Sequence, residues 1–199
     1  MSAVAFGIYV GFLGLAFGLR SWIQYRQTGD LGFRGLSTGS ASVRLAGVLL
    51  LLGLILTGAA PIADLFSFVD PLIAIDTPWL GRAGIVLAVM GGVITVTSQF
   101  QMGISWRIGV DEGEQTRLIT RGLFSVMRNP IFTGMLLATA GLLLVVPNWL
   151  SVAALTSLFV GLEMQVRWIE EPYLIRVHKA SYLAYAHEVG RFLPGMGRL

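Results

Sequence analysis

The sequence has no cysteine, and that absence excludes disulfides, thiolate metal sites and a cysteine nucleophile together. Histidine is nearly as scarce. The two present, His178 and His187, do not share a helix face, so no zinc-binding spacing exists and no metal is expected. Charge is sparse as well, at 13% of 199 residues, against 55% hydrophobic residues and a mean hydropathy of +0.74. A soluble domain carries about 25% charged residues, so the expected solvent is a bilayer. The net charge of +3 and pI near 9.7 leave no nucleic-acid footprint, because the arginines alternate with apolar blocks and form no stripe.

What is present is a succession of apolar blocks with basic and aromatic flanks. Ala3 to Leu19 is uncharged and closes on Arg20, Trp22, Tyr25 and Arg26, an interfacial collar. Nothing basic precedes Arg20, unlike a cleaved signal peptide, so this first span is expected to stay in the mature protein. Its Gly7, Gly11, Gly14 and Gly18 lie three and four apart, a spacing that lets another helix approach closely and offers a face for self-association. Leu45 to Ala60 and Gly84 to Ser98 are the second and third blocks. Both are short, and flanking residues such as Trp79, Leu80 and a snorkelling Arg82 complete the crossing. Ile131 to Val146 and Trp149 to Leu162 form a helical hairpin turning at Pro147 and Asn148. After Glu163 the pattern is amphipathic, with Ile169, Tyr173, Val177 and Tyr182 among Arg167, Arg176, Lys179 and Glu188, which reads as a surface helix.

The expected fold is therefore all-α: a polytopic membrane protein with about five transmembrane helices and a C-terminal amphipathic cytoplasmic helix. Residues 1–199 read as a single domain, with a three-span part over 1–100 and a site-bearing part over 101–199. Arg20, Arg26, Arg34 and Arg44 sit on one side of the membrane with Arg107, Arg117, Arg121, Arg128 and the basic tail. Asp64, Asp70 and Asp76 sit on the other, in a loop punctuated by Pro61, Pro71 and Pro78. The positive-inside rule then sets the N-terminus outside and the arginine-rich segments and C-terminus in the cytoplasm.

Two constellations could carry chemistry. Arg128-Asn129-Pro130 lies at a membrane entry, where Pro130 suits the first helical position and Asn129 both donates and accepts. It reads either as a helix start or as an anion site, with the helix N-terminus and the Arg128 fork facing a carboxylate. Glu170-Glu171-Pro172 lies where the last span leaves the membrane. Two adjacent carboxylates at an apolar boundary are either solvated or paired, or one faces inward to hold a cationic or hydroxyl-bearing ligand.

Leu118-Ile119-Thr120-Arg121-Gly122-Leu123-Phe124, Arg128-Asn129-Pro130-Ile131-Phe132-Thr133-Gly134 and Glu170-Glu171-Pro172-Tyr173-Leu174 resemble the isoprenylcysteine carboxyl methyltransferase and phospholipid methyltransferase group. Its pattern is a TxGxY turn, RHPxYxG, a hydrophobic hairpin and EExxL. The ending Tyr182, Tyr185, Val189, Arg191, Phe192 and Pro194 is similar to that group's YxxYxxxVxRFxP. The resemblance covers roughly the C-terminal half. It implies S-adenosylmethionine as cofactor and S-adenosylhomocysteine as product. Leu118, Ile119, Phe124, Asn129, Pro130, Ile131, Phe132 and Glu170 are then the cofactor contacts, flanked by Arg128 and Glu171 as the candidate catalytic pair. Glu170 takes either the ribose hydroxyls or the ammonium group. Arg107 and Arg167 are candidates for an anionic group on a lipophilic acceptor that arrives among the membrane lipids.

Asn129, Phe124 and Phe132 stand where the group has His, Tyr and Tyr, which removes titratable and hydroxyl groups but keeps stacking surface. Such a site works by positioning its reactants more than by acid-base chemistry. An NADPH-dependent membrane reductase of similar topology and a non-catalytic scaffold are the alternatives. The reductase would call for more basic residues, to meet the extra phosphate, than surround Arg128.

Overall fold

The computed structural model describes residues 1–32, 41–108 and 117–199. Arg34, counted above for orientation, and residues 109–116 of the polar segment lie outside the described residues. Four helices are long and apolar enough to cross a membrane: α1 (Ser2–Thr28), α2 (Ala41–Leu65), α3 (Pro78–Met102) and α5 (Trp149–Glu188). Between the last two lies a shorter apolar helix, α4 (Pro130–Val145). With its helices exposing Val10, Leu15, Val48, Leu51, Ile55, Val86, Val93 and Phe159 outward, the protein is an integral membrane protein whose outer surface suits lipid. One isolated bridge pairs Met127 with Gly190.

Small residues decide how the helices meet. Gly84, Ala88 and Gly91 of α3 interdigitate with Gly134, Ala138 and Gly141 of α4, and a Cβ added at Gly91 or Gly141 would lie 2.3 or 2.4 Å from the facing backbone nitrogen. The two backbones therefore touch, which is how helices gain contact energy in a solvent as apolar as their side chains. Gly53 of α2 meets Leu158 of α5 in the same way. The α1 glycines behave differently from the sequence expectation. A Cβ at Gly7, Gly11, Gly14 or Gly18 meets nothing within 4 Å, so among the described residues no helix packs closely on that face.

Asn148 makes the hairpin turn. Its side chain accepts from the Ser151 N–H at 3.0 Å, capping α5, and donates to the Ala60 carbonyl of α2 at 3.2 Å.

Up to the kink at Lys179, α5 runs about 45 Å from Trp149, longer than the hydrocarbon is thick. Its first part, Trp149–Met164, is apolar enough to lie in a bilayer, and the charged residues gather from Arg167 onward. The amphipathic stretch expected as a separate surface helix is thus the continuation of the last span. Pro172 would ordinarily break such a helix by meeting the carbonyl four residues earlier. Here a π turn, Gln165–Glu170, widens the helix just before it. A second irregularity at Lys179, with φ 48° and ψ −125°, bends the helix so that Tyr182 and Tyr185 come back against Leu118 and Leu174.

Candidate active site

The polar segment after α3 is shaped by its turn residues. Gly122, at φ 66°, starts a short 3-10 turn, Gly122–Ser125, that drives Phe124 inward to 7% exposure. Gln101 at the end of α3 accepts the Leu123 N–H at 2.8 Å, and the Tyr185 hydroxyl donates to the Phe124 carbonyl. Asn129 and Pro130 then start α4 as cap and first residue.

The C-terminal tail lies directly on this start. Arg128 N–H donates to the Gly190 carbonyl at 2.8 Å, and both the backbone N–H and the side-chain amide of Asn129 donate to the Arg191 carbonyl. Thr133 Oγ1 donates to the Phe192 carbonyl at 2.7 Å. The tail turns tightly enough at Gly190 that a Cβ there would lie 2.1 Å from the Leu193 oxygen.

Beneath the tail is a sealed ionic network. Glu171 Oε1 accepts from Arg128 Nη2 at 2.8 Å, while Arg191 binds both Glu171 oxygens through Nε and Nη2 at 2.8 and 2.9 Å. Arg128 Nη1 donates to the Ala186 and Val189 carbonyls, each at 2.7 Å, and Nη2 also reaches the Gly197 carbonyl. The Arg128 fork, which could have faced a ligand, is held by the protein's own tail. Its side chain is 2% exposed and that of Glu171 is 7%. Burial alone would raise the Glu171 pKa, but the hydrogen bonds from Arg191 and Arg128 outweigh it and hold the carboxyl below its ordinary value. The same bonds raise the Arg191 pKa.

Glu170, one residue earlier, is half-buried and is bonded differently: the Gln165 amide donates to its Oε1 at 3.3 Å. Burial pushes its carboxyl up to about 7, although Gln165 and the nearby charge of Arg107 pull the other way. Arg107 donates to the Tyr173 hydroxyl at 3.1 Å, with its guanidinium 5.7 Å from the Tyr173 ring centre. Leu118 packs against the Tyr182 and Tyr185 cluster and Ile119 is half-buried on the same strip. Ile131 and Phe132 pack against the Leu158 and Leu162 core, and Pro130 is fully buried. Arg167 stands apart: its side chain is 52% exposed and bonds Glu163, one turn back on the same helix.

The structure thus gathers Arg128, Asn129, Pro130 and Glu171 in one cluster and sets Phe124, Glu170 and Arg107 on its borders. Sequence reasoning left Arg191 and Tyr173 out of the site. The RFxP-like ending contained the signal for Arg191, whereas Tyr173 became visible only through its contact with Arg107.

The family described as phospholipid methyltransferase matches residues 80–181, just over half of the chain. The chain belongs to the phospholipid methyltransferase family. That matched region spans both motif clusters and ends before Arg191. Protein-S-isoprenylcysteine O-methyltransferases B and A of Arabidopsis thaliana are each 25% identical to this family member over 118 residues, 58% of this chain and 60% of theirs. The chain therefore matches less than two thirds of the length of these curated relatives. The solved structure of a eukaryotic intramembrane Ras methyltransferase, isoprenylcysteine carboxyl methyltransferase, is similar with a TM-score of 0.65 at 18% identity, covering 96% of this chain and 67% of that one. That likeness establishes the fold of this phospholipid methyltransferase family member as the polytopic helical arrangement described above.

Proposed function

We propose that the protein is a methyltransferase that uses S-adenosylmethionine to methylate a lipophilic acceptor at the cytoplasmic face of the membrane. The observation that carries the reading is Glu170. It is a half-buried carboxylate, bonded to one amide and set beside a sealed network that already neutralises its neighbour Glu171. The side chains assigned to the site fit the cofactor's chemistry. Phe124 and Phe132 offer apolar faces for adenine, Glu170 an acceptor for the ribose hydroxyls or the ammonium group, and the start of α4 at Asn129 and Pro130 a positive helix end. Leu118, Ile119 and Ile131 complete the apolar walls.

The bound cofactor supplies an electrophilic methyl group, transferred by direct displacement. The residues of this chain bind and orient. Arg128 and Glu171 act by fixing the tail over the start of α4, and Arg107 and Arg167 are the cations assigned to an anionic acceptor. In-line placement accounts for the acceleration, since Asn129, Phe124 and Phe132 stand where the resembled group has His and Tyr. The proposed orientation has the N-terminus outside and the site and C-terminus in the cytoplasm, and the open glycine face of α1 is the proposed surface for self-association.

Calorimetry with S-adenosylhomocysteine on detergent-solubilised protein tests the reading. Wild type is expected to bind, and Glu170→Ala to lose about tenfold or more in affinity, the worth of one charge-assisted hydrogen bond. Because the free Glu170 carboxyl sits near pH 7, a ligand ammonium that requires the ionised form would bind more tightly as pH rises through about 7. Wild-type protein that gives no binding heat, or unchanged affinity in Glu170→Ala, would sink the proposal.

A further inference from the structure

Arg20 is among the most completely buried side chains of the protein, at 2% exposure, and it has no carboxylate partner among the described residues. Its Nη2 donates to the Gly103 carbonyl, its guanidinium lies 4.5 Å from the Trp106 ring centre and 6.0 Å from that of Phe100, and Nε and Nη1 have no hydrogen-bond partner. One turn further along α1, Gln24 donates to the Ile104 carbonyl at 2.9 Å. A buried guanidinium without a counterion is costly, and a cation-π contact with one carbonyl bond offsets only part of that. A Met or Leu would pack α1 at less expense. Such a residue is explained by what it holds.

What it holds is the short segment between α3 and the candidate site. Gly103, at φ 56°, turns the chain there; its carbonyl accepts from Arg20 as well as from the Trp106 N–H at 3.2 Å, and the Ile104 carbonyl accepts from Gln24. Farther on, Ile108 N–H donates to the Gly32 carbonyl at 2.7 Å, and the Trp106 ring packs so closely that a Cβ at Gly32 would lie 3.1 Å from it. Trp106 is in extended backbone, with φ −69° and ψ 133°, so the side chains of Trp106 and Arg107 leave the chain on opposite sides. Trp106 goes to Arg20, and Arg107 goes to the Tyr173 hydroxyl on α5. Gripping the first fixes where the second emerges.

We propose that Arg20, assisted by Gln24, is a positioning residue that places Arg107 for an anionic acceptor, which makes the cytoplasmic end of the first helix a working part of the site. Both residues lie outside the family-matched region 80–181. The proposal rests on the methyltransferase reading for what Arg107 does, and on geometry alone for what Arg20 does to Arg107.

The test uses the full chain with N-acetyl-S-farnesyl-cysteine, a lipophilic carboxylate, as acceptor probe. Arg20→Met is expected to raise KM for the probe about tenfold, with kcat and S-adenosylhomocysteine affinity changed less than about twofold. Arg20→Lys, which keeps a donor for Gly103, is expected to recover most of the loss. In an Arg107→Ala background Arg20→Met should add almost nothing, since both changes remove one interaction. Unchanged KM, or a loss of the same size in the Arg107→Ala background, overturns the proposal. If Arg20→Met does not fold, Gln24→Leu carries the same cycle.

Amide hydrogen exchange on the same variants separates this proposal from the reading beneath it. Wild-type protein that binds no S-adenosylhomocysteine, or leaves the probe unmethylated, counts against the reading or its acceptor class. Faster exchange at residues 104–108 in Arg20→Met, with α3 and α5 still protected, upholds the link to Arg107 even then, and unchanged exchange refutes it.

Discussion

Glu170 and Glu171 are adjacent in sequence and opposite in circumstance. Glu171 meets two arginines that keep it ionised and balance its charge, whereas Glu170 keeps a partly open carboxyl whose pKa burial lifts to about 7. Removing the Glu171 charge should therefore be the more damaging change to the fold. Glu171→Gln strands the Arg128 and Arg191 guanidiniums under the tail, and breaking a buried pair in this way costs about 3–5 kcal/mol. Thermal unfolding in detergent is expected to show that loss, together with proteolytic release of residues near 190–199. The sign with pH follows from the depressed Glu171 pKa. Its contribution is fully present above the ordinary carboxyl value of 4.5 and fades as pH falls through the lower folded value, so wild type and Glu171→Gln should converge in acid. Equal melting temperatures at pH 7 would remove the network from the account of stability.

Helices in this protein are matched by their small residues, and glycines of similar spacing do different things in different elements. On α3 and α4 they are points of backbone contact. Gly141→Ala would force a Cβ to within 2.4 Å of the Ala88 nitrogen, which cannot swing aside as a flexible side chain does. Overpacking of this kind costs about 1–3 kcal/mol, and a clear drop in melting temperature is expected. Gly7→Ala on α1 enters open space and improves helix propensity, so its melting temperature should stay level or rise. A drop in both would mean that α1 is packed against a second copy, which cross-linking of the two variants would reveal. The same contrast explains why the hairpin of α4 and α5 was readable from Pro147-Asn148 while the partner of each glycine stripe was not. Spacing along a helix states that a close approach is available, and only packing shows which neighbour takes it.

At the scale of the whole molecule, the α5 helix sets the height of the site. Continuing from Trp149 through the π turn as far as the bend at Lys179, it carries Glu170 and Glu171 just past its apolar part, and the tail folds back over the start of α4. The proposed orientation is directly testable because the chain has no native cysteine to give background. Asp70→Cys, in the exposed loop between α2 and α3, is expected to react with a membrane-impermeant maleimide on intact cells. His187→Cys, exposed near the end of α5, should react only after the membrane is opened. The reverse pattern would invert the topology and with it the assignment of the site to the cytoplasm.

The bilayer setting, the succession of apolar helices and the family motifs were legible in the sequence because they depend on local quantities: how apolar a stretch is, where arginines flank it, and which residues sit side by side in RNPIFTG and EEPYL. Residue types also limited the chemistry, since no cysteine is present and Asn129 and two phenylalanines replace titratable and hydroxyl groups. Tertiary structure decided which charges meet. Arg191 reaches Glu171 across 20 residues and Arg128 reaches it across 43, while Arg20 touches a segment 83 residues away. Nothing in a linear pattern distinguishes a charge that will be sealed by a partner from one left facing a ligand. That outcome depends on which backbones close over it, and here the tail, the π turn before Pro172 and the turn at Gly103 made the choice.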